Sequence, residues 1–465
     1  MKKPLLQQLL LLAMCMLAAF QARATHIVGG EISYKPFPND PTSYYVTAKL
    51  YRDYGNTSVD YSGQVNLYCR KSSCITGTLA DFTANLTRVS RTVTSYSTDI
   101  QVFTGSIRLP SAGTWTLSLA QENRSFGILN LSNSGNFGMY VDAELLHDPA
   151  IGKANTSPVF TSEVLPFISG NQFHRFSFSA FDADGDSLVY KLISPQGASE
   201  LYPCPQTLPV VASPHFSINA ATGELPTVPF TLNQGYYLVA ARVEEYRRVS
   251  GQWAKIGSVM RDIMYRAVAS SNRNPTFTGL TRGNTALTLD QPIRVNPGRK
   301  IELTLAATDQ DAGAVLRFSS EAATSLPGVS LQALPNSQTR LTWEVPATLP
   351  LGRYRLPVTV ADNGTPINGT EVLTLTFLVT DQVLASTTAR PLYLPASPNP
   401  FRSQVSFKLS NPQTVTITDG LGRLVERVSS RPDGVVTWQP AASVMPGLYF
   451  ARTADGQQLV RLVRE

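Results

Sequence analysis

Three aspartates, Asp182, Asp184 and Asp186, alternate through FDADGD (Phe181 to Asp186). Spaced that way on an extended or turning segment, at least two of them can aim oxygens, together with backbone carbonyls, at one hard cation such as Ca²⁺. Asp309 and Asp311 in TDQDAG (Thr308 to Gly313) offer the same chemistry more sparsely. Asp362 in ADNG (Ala361 to Gly364) could add a ligand from a neighbouring strand end. An EF-hand is excluded, because the sixth and twelfth loop positions are Ser187 and Ile193, where that loop needs glycine and a bidentate glutamate. The alternative is a plain Asp/Gly turn whose side chains cap backbone amides.

Other chemistry is poorly supported. IVGGE (Ile27 to Glu31) looks like an activated serine-protease terminus, but no Gly-Asp-Ser-Gly-Gly follows, and Gly29-Gly30 reads better as a bulge or close-approach position. His26, His147, His174 and His215 are far apart and form no HExxH. Of the cysteines, Cys69 and Cys74 enclose four residues and suit a hairpin-tip disulfide in an oxidising compartment, the alternative being two reduced thiols. Cys204, in Tyr202-Pro203-Cys204-Pro205, reads as unreactive, since nothing near it in sequence lowers its pKa.

The elements that must position these residues are strands. Val46, Ala48 and Leu50 alternate with Thr47 and Lys49, and Ile301, Leu303 and Leu305 alternate with Glu302 and Thr304. Helical periodicity is hard to find beyond the first residues, and Gly/Pro punctuation is dense. The expectation is an all-β chain, a string of sandwich domains. Charged residues are only 15%, so the surface must be largely Ser, Thr, Asn and Gln. The formal charge of +6 falls to +3 if Lys2, Lys3 and Arg23 are removed, too little and too scattered for nucleic acid.

The middle of the chain contains a duplication. Asn155 to Phe160 (NTSPVF) reappears as Asn272 to Phe277 (NRNPTF), and Pro158/Pro275, Pro229/Pro346 and Gly235/Gly352 are each 117 residues apart. This predicts homologous sandwiches over 154–270 and 271–381. In their N-x-P opening, Asp-rich turn and G-x-Y strand they resemble the cadherin-like or immunoglobulin-like repeats of bacterial surface proteins. Ahead of them, a β-domain is expected over 25–153. GGEISY, KLYRDY, NRSFGILNL, MYVDAEL, EEYRR and IGSVMRDIMYRAV together resemble a family of Bacteroidota exported proteins of unassigned activity, over roughly Thr25 to Arg273. Tyr54 and the region of Glu122 depart from that pattern, since relatives often carry cysteines there.

The tail beyond a linker (382–394) is rich in β signals. VSFKL, TVTIT, GRLVERV and VVTW are short β-prone runs. Leu448 to Thr453 and Gln458 to Val463 flank Ala454-Asp455-Gly456 as a hairpin. PNPF (Pro398, Asn399, Pro400, Phe401), D-x-x-G-R (Asp419, Gly422, Arg423) and G-x-Y (Gly447, Tyr449) follow in order over residues 395–465. That order resembles the type A C-terminal sorting domain of the type IX secretion system. The resemblance implies delivery to the outer surface or medium, with the secretion machinery as partner. Residues 1–24, with Lys2, Lys3, an apolar stretch and Ala22-Arg23-Ala24, read as a cleaved signal peptide too short to anchor the chain in a bilayer. The function expected is non-enzymatic adhesion or structure at the cell surface, toward a polysaccharide or another cell. The rival is a secreted glycan- or peptide-active enzyme.

Overall fold

The computed structural model describes residues 27–53, 61–71, 74, 80–94, 98–122, 124–162, 167–169, 171–211, 216–227, 229, 233–321, 326–381, 392–420, 422–453 and 458–465. The expected signal peptide, His26, Tyr54, His215, most of the expected linker and Ala454-Asp455-Gly456 lie outside the described residues. The chain divides into two compact units, Met1–Gln382 and Val383–Glu465. Among the described residues no helix is long and apolar enough to cross a membrane.

The first unit begins with β1 (Ile27–Phe37), β2 (Asp40–Asp53), β3 (Gln64–Arg70), β4 (Phe82–Val93), β5 (Thr98–Arg108), β6 (Gly113–Gln121) and β7 (Met139–His147), all joined antiparallel in the order β1-β2-β5-β4-β3-β6-β7. The first repeat follows as β8 (Val159–Phe160), β9 (Phe167–Ser169), β10 (Arg175–Ser177), β11 (Ala180–Phe181), β12 (Ser187–Ile193), a small hairpin of β13 (Gln196–Gly197) and β14 (Gln206–Thr207), β15 (Glu224–Pro226), β16 (Gly235–Val249) and β17 (Gln252–Val268). The boundary expected at 153/154 does not separate two bodies. β17 pairs with β1 through Gly29↔Ile263 and with β7 through Gly257↔Leu145, which closes β1 to β7 into a ring that needs a strand from the repeat. One hydrophobic core runs through both, from Val46, Leu67 and Trp115 to Phe176, Leu225 and Tyr265. β17 is buried without a break from Ile256 to Tyr265, because both of its faces are covered. Gly29 sits where a Cβ would lie 2.2 Å from the Asp262 carbonyl oxygen, so the Gly-Gly pair is a close-approach position.

The second repeat comprises β18 (Thr276–Arg282), β19 (Thr285–Leu287), β20 (Ile293–Val295), β21 (Lys300–Thr308), β22 (Arg317–Ser319), β23 (Val329–Leu334), β24 (Gln338–Glu344), β25 (Gly352–Ala361) and β26 (Thr370–Val379). Its two sheets, β19-β18-β21-β24-β23 and β20-β26-β25-β22, enclose Trp343, Phe377 and Leu356. The pairings match those of the first repeat. The parallel pair β20/β26 corresponds to β9/β17, β25/β26 to β16/β17, β22/β25 to β12/β16, β18/β21 to β8/β11 and β21/β24 to β10/β15. The repeats also touch side by side. Glu224 accepts from the Thr374 amide at 2.9 Å, the Arg355 guanidinium donates to Ala221 O at 2.7 Å and lies over the Tyr190 ring, and Phe181 meets Tyr354.

The second unit is a two-sheet β module. One sheet, β27-β34-β33-β30-β31, is built from β27 (Leu392–Tyr393), β30 (Thr414–Asp419), β31 (Leu424–Ser429), β33 (Gly447–Thr453) and β34 (Gln458–Arg464). The other, β28-β29-β32, holds β28 (Ala396–Ser397), β29 (Val405–Lys408) and β32 (Val435–Trp438). Pairing of Leu392 with Gln458 carries the module's start a few residues upstream of 395. Its core is Phe401, Trp438, Tyr449, Ile417 and Leu462.

Candidate functional site

The Asp-rich turn lies between β11 and β12, and a turn at that point requires glycine: Gly185 has φ +79°. Asp182 is buried and folds back on its own turn, its Oδ1 accepting from the amides of Asp184 (2.9 Å) and Asp186 (3.0 Å). This is the Asx-type capping that Asp/Gly turns use. Its other oxygen, Oδ2, is buried with no hydrogen-bond partner, and so is Oε1 of Glu245. Glu245 comes from β16, 59 residues further along the chain, at a register shift that pairs Glu245 with Gly257 and Tyr246 with Lys255. A Cβ on Gly257 would lie 2.8 Å from Glu245 Oε2, so glycine there makes room for the carboxyl group. Oxygens of Asp182, Asp186 and Glu245 all lie within 4.8 Å of one another.

Two cations share this site. Arg247 donates to Asp186 through Nε (2.9 Å) and a terminal nitrogen (2.5 Å), reaches Asp184 at 3.3 Å, and donates to Asn155 Oδ1 at 2.8 Å. Lys153 pairs with Asp184 at 2.5 Å. Asp184 also accepts from the Thr156 amide at 2.8 Å, while Asn155 Nδ2 donates to Glu245 Oε2. Asp184 is therefore taken up by Lys153, Arg247 and the Thr156 amide, and Glu245 replaces it in the gathered trio, contrary to the expectation from sequence. Burial, then the neighbouring Asp182 charge, pushes the Glu245 carboxyl well above the usual range. Burial also raises Asp182. Four carboxylates against two cations leave two formal negative charges. Either protons on the buried pair or one divalent cation would neutralise them.

The second repeat repeats the scaffold without gathering the carboxylates. Asn272 Nδ2 donates to Asp362 Oδ2 at 2.9 Å, Asp311 accepts from the Arg273 amide at 2.8 Å, and Asp309 Oδ1 accepts from the Asp311 amide at 2.8 Å. Each contact mirrors one in the first repeat. Asp362 stands 117 residues after Glu245, so the offset that relates the prolines also relates these two acids. Asp362 Oδ1, however, accepts from the amides of Gly364 (2.8 Å) and Gly369 (2.7 Å), and Gly313 stands in the turn where the first repeat has Asp186. Asp309 keeps one partnerless oxygen, and burial raises its pKa.

The cysteine pairing differs from the one expected. Cys74 bonds Cys204, with Cα atoms 5.5 Å apart, and Cys69 is free. The reason is strand alternation, which places Val65, Leu67 and Cys69 on the core face of β3, with Leu67 and Cys69 wholly buried. Burial pushes the Cys69 thiol up to about 12, so it is inert. The remaining histidines are structural: His174 Nε2 accepts from the Ser169 amide, and His147 Nδ1 meets the Tyr44 hydroxyl.

The conspicuous N-terminal motifs turn out to be buried ion pairs. Arg124 of NRSFG makes a two-pronged pair with Asp262 of MRDIM, at 2.8 and 2.7 Å, both side chains fully buried. Arg261 pairs with Glu31 of GGEISY and lies 4.3 Å from the Phe160 ring centroid. The sorting-like motifs lock the second unit. Asn399 donates to Arg461 O (2.7 Å) and accepts from the Val463 amide (2.8 Å), and Phe401 accepts through its carbonyl from the Glu465 amide (2.9 Å), so PNPF clamps the last strand. Asp419 binds both the amide and Nε of Arg423 around Gly422, which has φ +80°. Tyr449 packs against Trp438, centroids 5.3 Å apart, and its strand begins at Gly447.

No protein-family model and no curated protein matches this chain. Among solved structures it is similar to extracellular cadherin domains 3–6 of protocadherin gamma B2, at 16% identity over 66% of this chain and 73% of that one, with a TM-score of 0.18. It is also similar to Drosophila N-cadherin EC1–3 (10% identity, 65% and 99%, TM-score 0.21) and to titin domains A168–A170 (11%, 66% and 99%, TM-score 0.16). At these scores the chains do not superpose as wholes. The sandwich fold stands on this chain's own strand pairings, and none of these proteins lends it a function.

Proposed function

We propose that this chain is an exported, non-enzymatic surface protein whose sandwiches present loops to a polysaccharide or a neighbouring cell, delivered by type IX secretion machinery that reads its C-terminal module. What carries the reading is where the polar motif residues go. Glu31, Arg124, Arg261 and Asp262 are spent inside the first unit on holding β17 against the ring, a use that serves rigidity rather than turnover. Among the described residues, the cavity of about 390 Å³ at the repeat junction is lined by a single carboxylate, Glu371, whereas acid–base hydrolysis of a glycoside calls for two. Beads carrying the chain from Thr25 onward should adhere to cells or purified surface polysaccharide of its host. Failure to adhere to either, with the protein folded, would remove the adhesion reading.

The proposal includes calcium at the first acidic turn, held by Asp182, Asp186 and Glu245, with Arg247 moving off Asp186. The partnerless buried oxygens of Asp182 and Glu245 support that fit. Because both pKa values are raised, the folded state keeps protons that the unfolded chain releases. Without divalent cations, this site's contribution should therefore fall as pH rises above about 4, the usual carboxylate range. Glu245→Gln should flatten that slope. Extracellular calcium modules bind at roughly 10⁻⁴ to 10⁻³ M, so about 10 mM Ca²⁺ should add one to a few kcal/mol, a few degrees in melting temperature, near pH 8. The gain should vanish in Glu245→Gln. Coincident wild-type melting curves with and without Ca²⁺ would leave a proton-sharing pair and no metal.

A further inference from the structure

The linker Ser270–Thr276 between the repeats forms one wall of the cavity of about 390 Å³, a size suited to a small ligand. Phe173, 43% exposed, faces it from the loop between β9 and β10. The Arg175 guanidinium covers the ring at 5.8 Å, and Asn274 Nδ2 donates to the Phe173 carbonyl at 3.0 Å, so the ring is fixed with one face supported. Gln172 ties the floor together, donating to Ser169 O and Asn272 O and accepting from the Asn274 amide, each at 2.9 Å. Among the described residues, no protein group takes up the side chains of Asn171, Ser271 or Thr276, and Gln310 uses its carbonyl oxygen on Arg273 while its amide nitrogen stays available.

From this arrangement we infer that the junction cavity is a binding site for a neutral sugar unit of a glycan. A sugar ring presents an apolar C–H face, which suits a fixed aromatic platform, and a rim of hydroxyls that both donate and accept, which suits amides and hydroxyls. Among the described residues the charged lining groups are Arg273 and Glu371, of opposite sign. Glu371 is already engaged by the Phe277 amide at 2.7 Å and by Arg175 at 3.7 Å, so its carboxylate is not free to hold a metal ion. Because the platform and floor are rigid beforehand, little ordering is lost on binding. The site deepens the adhesion reading and rests on it.

The test is binding of the full chain from Thr25 to a panel of neutral oligosaccharides built from glucose, mannose, galactose or N-acetylglucosamine, by calorimetry, beside Phe173→Ala and Gln310→Ala. Wild type should bind at least one of them, with tenfold or greater weakening in Phe173→Ala and weaker binding in Gln310→Ala. Melting temperatures should be unchanged, since both side chains are exposed. Absence of binding to every panel member, an unchanged affinity in both variants, or binding confined to anionic glycans and abolished in Arg273→Ala, would each overturn the site. Bead adhesion separates the two readings. Adhesion that persists while the variants bind normally leaves the adhesion reading standing and the cavity unassigned.

Discussion

Arg124→Met should destabilise the first unit by about 3–5 kcal/mol, the usual cost of removing one member of a fully buried ion pair. Arg124 also donates to the carbonyl oxygens of Gly138 (3.1 Å) and Gln196 (3.0 Å), so the variant abandons two backbone acceptors as well as the Asp262 carboxylate. Asp262 is already raised by burial, and without its partner it should rise further. The sign follows from linkage: a raised acid costs stability as pH climbs, so the deficit should be smaller near pH 5 than near pH 8. Arg124→Met combined with Asp262→Leu should recover more than half of the loss, because an apolar pair leaves no charge stranded. Urea unfolding followed by fluorescence reads all of this. A single variant within about 1 kcal/mol of wild type would show that the pair does not hold β17 against the ring.

Removal of Val383–Glu465 should leave the protein in the periplasm rather than at the surface or in the medium. The segment is a compact unit with its own core, so its loss should leave the melting of the first unit unchanged. A finer variant separates folding of the module from mere presence of its residues. Phe401 is buried against Trp438, centroids 5.6 Å apart, and bridges to the last strand through the Val463 carbonyl and Glu465 amide. Phe401→Ala should cost about 3–5 kcal/mol, enough to unfold so small a module and abolish delivery. Arg402→Ala alters an exposed side chain and should have no effect. Surface delivery of the truncated chain, read by fractionation and protease accessibility, would exclude the sorting role.

Much of this molecule is legible in its residues because its local rules agree with one another. Alternation in Val46-Ala48-Leu50 and Ile301-Leu303-Leu305, turn residues at the strand ends and the 117-residue offset together specify strands and a duplicated sandwich, and the strand pairings follow that pattern repeat for repeat. The short turn of Asp182 to Asp186 is equally local, since its Asx hydrogen bonds span two and four residues. Cys69 was readable too, because Val65, Leu67 and Cys69 share the core face of one strand; loop length alone favoured the nearer partner and misled.

Tertiary structure decided what no local pattern contains. Glu245, Arg247 and Asn155 reach the acidic turn from as far as 63 residues away, and only the register shift at Glu245, with Gly257 opposite, turns that carboxyl inward. The 117-residue offset between Glu245 and Asp362 marks them as equivalent, yet whether carboxylates gather depends on three-dimensional neighbours: two backbone amides satisfy Asp362, while nothing does so for Glu245 Oε1. The same holds for the first domain. Sequence separates residues 25–153 from the repeat that follows, but burying both faces of β17 places Arg261 and Asp262 in the interior, where a charge persists only beside its partner. That requirement joins the ring and the first sandwich into one core.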